Sequence, residues 1–313
     1  MWTYMKTKGV GLGSQKGRSI KSLLLEVYCS SDSQLVRQAH KQGFVADRHG
    51  LKQGDLRDHS SRLRLYDRLL TLLPRHVWVS PRCKAWCKWN IFNMSKNPST
   101  AQKVIEAREE DRIHLMLCDA LFQFQTWRNS ECHFHLEQPQ GSHMIVQDEL
   151  ASIVDQLQCA LCDMCVAGQL KHPETGELLK KGTQVWTSSR LLCEILDRLK
   201  CPRNHIHATI EGSVRLKQQR VNLSQYTELY THTFAQRIIR CMTCSEVVRE
   251  PSCAEKIEYP VLTSENQEPV VKRRRIDDKQ SPPEGYLETI SKPAVTLENI
   301  TQMALEDGNT MVH

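Results

Sequence analysis

The stretch that decides the fold reads PRHVWVSPRCKAWCKWN, residues 74–90. It begins as a short apolar strand and turns polar, aromatic and basic after a Ser-Pro step. Because open α/β sheets bind ligands at the carboxyl ends of their strands, we expect it to deliver the Cys83 thiol to that edge. Lys84, Trp86, Lys88 and Trp89 follow, and such side chains suit the phosphates and bases of a nucleic acid. A surface loop anchored by buried tryptophans is the alternative.

Strand-like and helix-like patterns alternate on both sides of this stretch. Apolar runs of strand length occupy residues 23–29, 44–46, 76–79, 133–139 and 184–188, and helical periods occupy residues 33–42, 63–73, 100–127, 189–199 and 224–242. Alternation of this kind is typical of a parallel sheet with right-handed crossovers. The sequence therefore predicts an α/β fold, a mostly parallel Rossmann-like sheet with helices on both faces.

Composition divides the chain into three parts. Residues 1–21 are basic and glycine-containing with no preceding strand, which predicts a flexible arm. Residues 22–244 carry the strand and helix patterns of one α/β domain. Residues 245–313 are rich in proline and acidic residues, and such a segment buries too little apolar surface to fold, so we expect a disordered tail. Its basic cluster at residues 272–275 is of the nuclear-import type.

Charge and cysteine usage indicate the compartment and the kind of partner. The chain has a net charge of +6, and residues 246–313 hold thirteen acidic against eight basic residues, which leaves about +11 for the remainder. So basic a domain favours a polyanionic partner such as nucleic acid, DNA first. There is no signal-like apolar segment near the start and no apolar run of membrane-spanning length. We therefore expect an intracellular, nuclear protein with no membrane partner, whose thirteen cysteines stay reduced.

Two groups of residues offer metal ligands. The first has zinc-knuckle spacing and consists of Cys162, Cys165, Cys201, His205 and His207. Two cysteines with a Cys or His pair would close a structural zinc tetrahedron, and buried cysteines beside strand-end histidines are the alternative. The second group lies on one strand, where a period of two places His133, His135 and Glu137 on the same face.

The order of the motifs resembles the S-adenosylmethionine-dependent methyltransferase fold, and specifically the DNA (cytosine-5) methyltransferase family. The resemblance covers residues 22–242 and rests on an acidic strand end, a Gly-Asp-Leu turn, a Pro-x-Cys after a strand and a Leu-Glu-x-Pro on the next. The later part is similar to methyltransferase-like domains of retrotransposon polyproteins. The resemblance implies that Cys83 is the nucleophile and Glu137 the acid. It also implies a cofactor site formed by Glu26, Asp32, Asp47, Asp55 and Ser80. In that site Asp47 would bind the ribose, and Asp55 would contact the adenine amino group.

The implied chemistry suits these residue types. A thiolate adds to C6 of a cytosine that has left the duplex, and a carboxyl group supplies a proton or hydrogen bond at N3. Lys84 and Lys88 would lower the pKa of the thiol. The turn at residues 29–33 has no glycine, and Arg82 stands where the family has a second proline. The alternatives are therefore a catalytically inactive nucleic-acid-binding module and a zinc-stabilised interaction domain.

Overall fold

A computed structural model of the protein describes residues 1–7, 20–216 and 219–247. The strands are β1 Ser22–Cys29, β2 Ala46–Gly50, β3 Pro74–Val79, β4 His133–Pro139, β5 Gln158–Asp163, β6 Leu178–Leu179, β7 Gly182–Thr187, β8 His207–Ala208, β9 Ser213–Leu216 and β10 Gln219–Asn222. The helices are α1 Trp2–Thr7, α2 Gln34–Lys41, α3 His59–Leu72, α4 Lys88–Lys96, α5 Pro98–Arg128, α6 Ala151–Gln156, α7 Met164–Ala167, α8 Arg190–Asp197, α9 Leu223–Tyr226 and α10 His232–Val247. Short 3₁₀ turns lie at Lys84–Trp86, His143–Val146 and Asp148–Leu150.

Six strands form the central sheet, in the order β2-β1-β3-β4-β7-β5. The first four strands in that order are parallel, whereas β7 runs antiparallel to both of its neighbours. The chain leaves β1 towards β2 on one side and then returns to add β3 and β4 on the other. The predicted mostly parallel α/β sheet is confirmed, and the junction of β1 and β3 is its topological switch point.

Helices cover both faces of this sheet, because alternate residues of the parallel strands are apolar on both sides. On one face, Leu24 and Trp78 pack in a core with α2, α8 and α10. On the other face, Leu25 and Val77 pack in a second core with α3 and α5. Glu26 and Glu137 belong to strands buried in this way, and their side chains are only 2% and 7% exposed.

Local sequence signals explain where α2 begins and ends. The Ser33 side chain accepts a hydrogen bond of 3.0 Å from Val36 N, as an N-cap does. Gly43 has φ +82°, a left-handed conformation that suits glycine just after a helix. The prediction of a helix over residues 33–42 is confirmed, and the polar turn after β1 therefore leads directly into a capped helix.

Three predicted elements differ from the structure. The predicted bounds of the second strand are wrong, because β2 covers residues 46–50 and the prediction was 44–46. The closing helix is divided into α9 and α10 by residues 227–231. The expected basic arm begins with α1, whose Met5 is fully buried in the core on the α3 side of the sheet.

Other expectations concern residues outside the described ranges. These are the rest of the basic arm over residues 8–19, the acidic tail from residue 248 onward and its basic cluster at residues 272–275. None of the described helices combines the length and the apolar character that a membrane crossing requires.

Candidate functional site

A cavity of about 530 Å³ opens at the carboxyl edge of the sheet. Its walls come from the ends of β1, β2, β3 and β4, from Lys181 and from the segment 226–231 that precedes α10. The cavity thus lies at the switch point between β1 and β3, where open α/β sheets bind their ligands. Its volume is that of a site for a cofactor-sized molecule.

Cys83 and Glu137, the expected nucleophile and acid, both line this cavity. They are brought together because β3 and β4 are parallel neighbours. Burial raises the pKa of the Cys83 thiol to about 11, against the opposite effect of the Lys181 ammonium group. Burial also raises the pKa of Glu137, although Lys181 and a hydrogen bond from Tyr230 favour the charged carboxylate. Glu137 therefore keeps its proton to a higher pH than an exposed glutamate does.

The hydroxyl group of Tyr230 connects β3 to Glu137. It accepts a hydrogen bond of 2.9 Å from Trp78 Nε1 and lies 2.6 Å from Ser80 Oγ. The same hydroxyl donates to Glu137 Oε2 over 3.2 Å. Because Trp78 is fully buried and Tyr230 packs against it edge-to-face, this arrangement fixes the orientation of the carboxyl group.

Glu26 is the most deeply buried of the expected cofactor residues, and it lines the same cavity. Its carboxyl group accepts a hydrogen bond from the hydroxyl of Ser33, the residue that also caps α2. Burial raises the pKa of Glu26 to about 7, although the Ser33 hydrogen bond and the Arg48 guanidinium both favour the charged form. The cavity floor thus holds a carboxyl group that titrates near neutral pH.

Asp32, Asp55 and Ser80 also lie in the cavity wall, as expected. Asp32 forms an ion pair with Arg37, and Asp55 forms one of 2.6 Å with Arg57. The hydrogen bonds from Arg57 lower the pKa of Asp55 to about 2. Both carboxylates are therefore charged partners for a ligand at this edge, and both already have an arginine beside them.

Asp47, the expected ribose-binding acid, lies outside the cavity wall. It is the second residue of β2, where it pairs with Arg68 of α3. The apolar residues Phe44 and Val45 predict a strand that begins at residue 44 and therefore ends just before Asp47. Val45 precedes β2 and is exposed, so the strand begins later and its carboxyl end is at Gly50.

His49 is one of the cavity residues that the sequence analysis missed. Its side chain is 1% exposed, and neither ring nitrogen has a hydrogen-bond partner among the described residues. Burial, together with Arg68 and Arg64, lowers the pKa of His49 to about 4, so the ring is neutral at pH 7. It therefore offers one donor and one acceptor at the cavity wall. The sequence analysis missed it because the expected strand ends at residue 46, whereas β2 continues to Gly50 and carries His49 to the cavity.

The turn after β1 is built without glycine. Tyr28 adopts φ +65° at an irregularity in the pairing of β1 with β2. Its hydroxyl lies 3.2 Å from His114 Nδ1 of α5, and its ring meets that imidazole edge-on. A left-handed conformation costs a non-glycine residue about 1–3 kcal/mol, and such residues cluster where the chain is shaped for function. Tyr28 lines the cavity.

The four expected nucleic-acid contacts divide into two kinds. Lys84, Lys88 and Trp89 are exposed, and the Trp89 indole is 67% exposed on α4. Trp86 is only 2% exposed and packs in the core on the α3 and α5 side, with Arg108 5.2 Å from its ring. Trp86 is therefore an anchor of the loop and cannot stack on a base. Phe92, which the sequence analysis did not single out, is 49% exposed and lies edge-on to Trp89.

A second site is a group of four metal-ligand residues, here called the Cys-His cluster: Cys165, Cys201, His205 and His207. Their ligand atoms all lie within 4.8 Å of one another, which means that the cluster could hold a metal ion. Cys201 Sγ lies 3.6 Å from His205 Nε2 and 3.5 Å from His207 Nε2. Cys162, a fifth expected ligand, is instead a residue of β5 whose side chain is buried in the core.

The histidines of β4 form a different arrangement. His135 Nε2 lies 3.0 Å from Nδ1 of His76, and His135 Nδ1 lies 2.8 Å from Thr187 Oγ1. Burial lowers the pKa of both rings well below the ordinary value, so they are neutral core residues. In the described part of the chain, the Cys-His cluster is the sole group of three or more metal-ligand residues at such spacing.

The comparisons with known proteins give no relative from which a role could be transferred. No protein-family model, no curated protein and no solved structure matches the chain.

Proposed function

We propose that the protein is a DNA methyltransferase-like protein of retroelement type that transfers a methyl group from S-adenosylmethionine to C5 of cytosine. The observation that carries this proposal is that Cys83 and Glu137 line one cavity at the switch point of a mostly parallel sheet. A parallel sheet with one reversed strand beside an edge strand also agrees with the fold that the sequence resembles.

The donor groups in the cavity suit this cofactor. The two ring nitrogens of His49 are buried without partners, and a buried polar group without a partner costs about 1–3 kcal/mol. A ligand hydroxyl group, such as one of a ribose, would satisfy one of these nitrogens. Glu26 and Asp32 would offset the positive charge of the ligand. When bound, S-adenosylmethionine supplies an electrophilic methyl group.

The residues around Cys83 and Glu137 suit addition to a cytosine ring. The Cys83 thiolate would add to C6, and the Lys181 ammonium group favours that thiolate. Glu137, whose raised pKa favours the protonated form, would donate to N3 as the ring accepts electrons. Tyr230 holds the Glu137 carboxyl group in place. C5 would then take the methyl group that the cofactor supplies. Loss of the C5 proton to solvent, departure of the Cys83 thiolate and return of the N3 proton to Glu137 would restore the aromatic ring.

Calorimetric titration of S-adenosylmethionine into the full chain tests the proposal. We expect saturable binding with a micromolar dissociation constant, which His49→Ala weakens and Asp47→Asn leaves unchanged. Asp47 is the matched control because it lies on the same strand but outside the cavity wall. Absence of a heat signal at millimolar S-adenosylmethionine would contradict the proposal that the protein is a methyltransferase.

A second candidate is a catalytically inactive nucleic-acid-binding module. It is favoured by the raised pKa of Cys83, which leaves the thiol protonated at neutral pH in the absence of a ligand. It is also favoured by α4, which has no buried residue and exposes Trp89, Phe92 and Lys88. Measurement of DNA duplex binding at several salt concentrations, beside the titration of S-adenosylmethionine, distinguishes the module from the enzyme. The module should bind DNA but not S-adenosylmethionine, and Cys83→Ser should leave its DNA affinity unchanged.

For the Cys-His cluster we propose zinc. A tetrahedral zinc with bonds of about 2.3 Å to sulfur and about 2.0 Å to nitrogen sets sulfur–nitrogen separations of about 3.5 Å. The two separations from Cys201 Sγ are 3.5 and 3.6 Å. Two thiolates and two imidazoles form the closed donor set of structural zinc sites. This ion would stabilise the fold, and the reaction at Cys83 would not involve it.

A further inference from the structure

The Cys-His cluster joins two segments that both lead to the cavity. Cys165 lies in α7, and His207 is the first residue of β8. β8 pairs with β6 through His207 and Leu178. Met164 N donates to the backbone oxygen of Lys181 over 2.9 Å, and Met164 is the residue before the ligand Cys165. Lys181 also follows Leu178, the strand partner of the ligand His207, by three residues.

α7 also supports the start of α10. The Thr231 hydroxyl donates to Gly168 O over 2.7 Å, and the Arg237 guanidinium donates to Val166 O over 2.6 Å. Tyr230, which orients Glu137, immediately precedes Thr231. The backbone around Cys165 therefore supports two cavity side chains, Lys181 and Tyr230.

Little apolar packing holds the loop that carries the other ligands. Residues 202–204 are exposed, and Ile206 is also exposed. The groups around the ligand atoms are instead arranged as in a metal site. Arg203 N donates to Cys201 Sγ over 3.3 Å, and His205 Nδ1 lies 3.1 Å from Asn204 Oδ1, which leaves Nε2 directed at the cluster. Arg203 reaches this position with φ +59°.

We propose that a zinc ion bound by the Cys-His cluster fixes the cavity wall that carries Lys181 and Tyr230. The proposal rests on the assignment of zinc above, and it holds whether or not the cavity binds S-adenosylmethionine. The ion acts on the cavity through the backbone of α7, β6 and β8. With four protein ligands it has no open position for a substrate.

Metal analysis and hydrogen exchange of the full chain test this proposal. We expect a single zinc ion per chain, lost in Cys201→Ser and retained in Cys193→Ser, a partly exposed cysteine outside the cluster. His205→Cys keeps a closed donor set and is expected to retain zinc. Removal of zinc by a chelator should speed amide exchange in residues 164–181 and 201–208 by about tenfold or more, and added zinc should restore the slow rate.

α3 is the internal control for exchange, because it packs on the opposite face of the sheet. Its amides should keep their rates when zinc is removed. Purified wild-type protein without zinc that also fails to bind added zinc would overturn the proposal, as would bound zinc whose removal leaves exchange at residues 164–181 unchanged. Neither measurement uses S-adenosylmethionine or DNA, so the zinc proposal can fail or succeed independently of the methyltransferase proposal. If Cys201→Ser does not fold, chelation of the wild-type protein still decides.

Discussion

Glu26 makes the stability of the fold fall as the pH rises towards neutrality. In the folded chain, burial raises the pKa of Glu26 from 4.5 to about 7. The unfolded chain therefore loses this proton first, so the contribution to stability is complete below the unfolded pKa and is lost as the pH rises through the folded one. A difference of about 2.5 pK units corresponds to about 3 kcal/mol between pH values below and above this window.

Urea unfolding followed by tryptophan fluorescence measures this contribution as a difference between wild type and Glu26→Gln. The glutamine is nearly isosteric and cannot ionise, so subtraction removes the other titrating groups. We expect the variant to gain about 3 kcal/mol relative to the wild type between about pH 4.5 and about pH 8.

Glu106, one of the exposed glutamates of α5, provides the control, since Glu106→Gln should leave the pH profile of the wild type unchanged. Parallel profiles for Glu26→Gln and the wild type would refute the reasoning, because they would mean that Glu26 has the same pKa in the folded and unfolded chains.

Three further predictions concern one or two side chains each. Tyr230→Phe should destabilise the fold by about 1–3 kcal/mol in urea, because buried partners lose a hydrogen bond, whereas Tyr226→Phe should cost less than about 0.5 kcal/mol. Asn97→Ala removes the N-cap of α5, whose side chain accepts from two backbone amides, and should lower the unfolding free energy by about 0.5–2 kcal/mol. Trp89→Ala with Phe92→Ala should leave the urea midpoint unchanged and weaken binding of single-stranded DNA by at least about fivefold in fluorescence anisotropy. An unchanged affinity would mean that α4 does not contact DNA.

The sheet could be predicted because its signals are local. The strand at residues 133–139 has the bounds expected from its apolar run and its terminal proline. The strand before Cys83 and the capped helix after β1 were likewise readable from a few adjacent residues. The delivery of Cys83 to the carboxyl edge was also readable from its strand, whereas Glu137 was singled out as its partner by the family resemblance alone.

The remaining features depend on contacts that sequence periodicity does not encode. Whether Val45 is exposed or buried decides where β2 begins, and with it whether Asp47 or His49 reaches the cavity. Trp86 and Trp89 are three residues apart in a similar context, yet one is a core anchor and the other is exposed. Likewise, spacing alone could not decide which cysteine of the Cys162–Cys165 pair faces the cluster.

A covalent trapping experiment tests the central claim most directly. A duplex with 5-fluorocytosine, incubated with S-adenosylmethionine and the full chain, should form an adduct that mass spectrometry maps to Cys83, because fluorine at C5 cannot leave as a proton does. Cys83→Ser should abolish the adduct, and Cys87→Ser, four residues further along the chain and outside the cavity wall, should retain it. Absence of an adduct with DNA and S-adenosylmethionine both bound, or an adduct at Cys87 instead, would contradict the account.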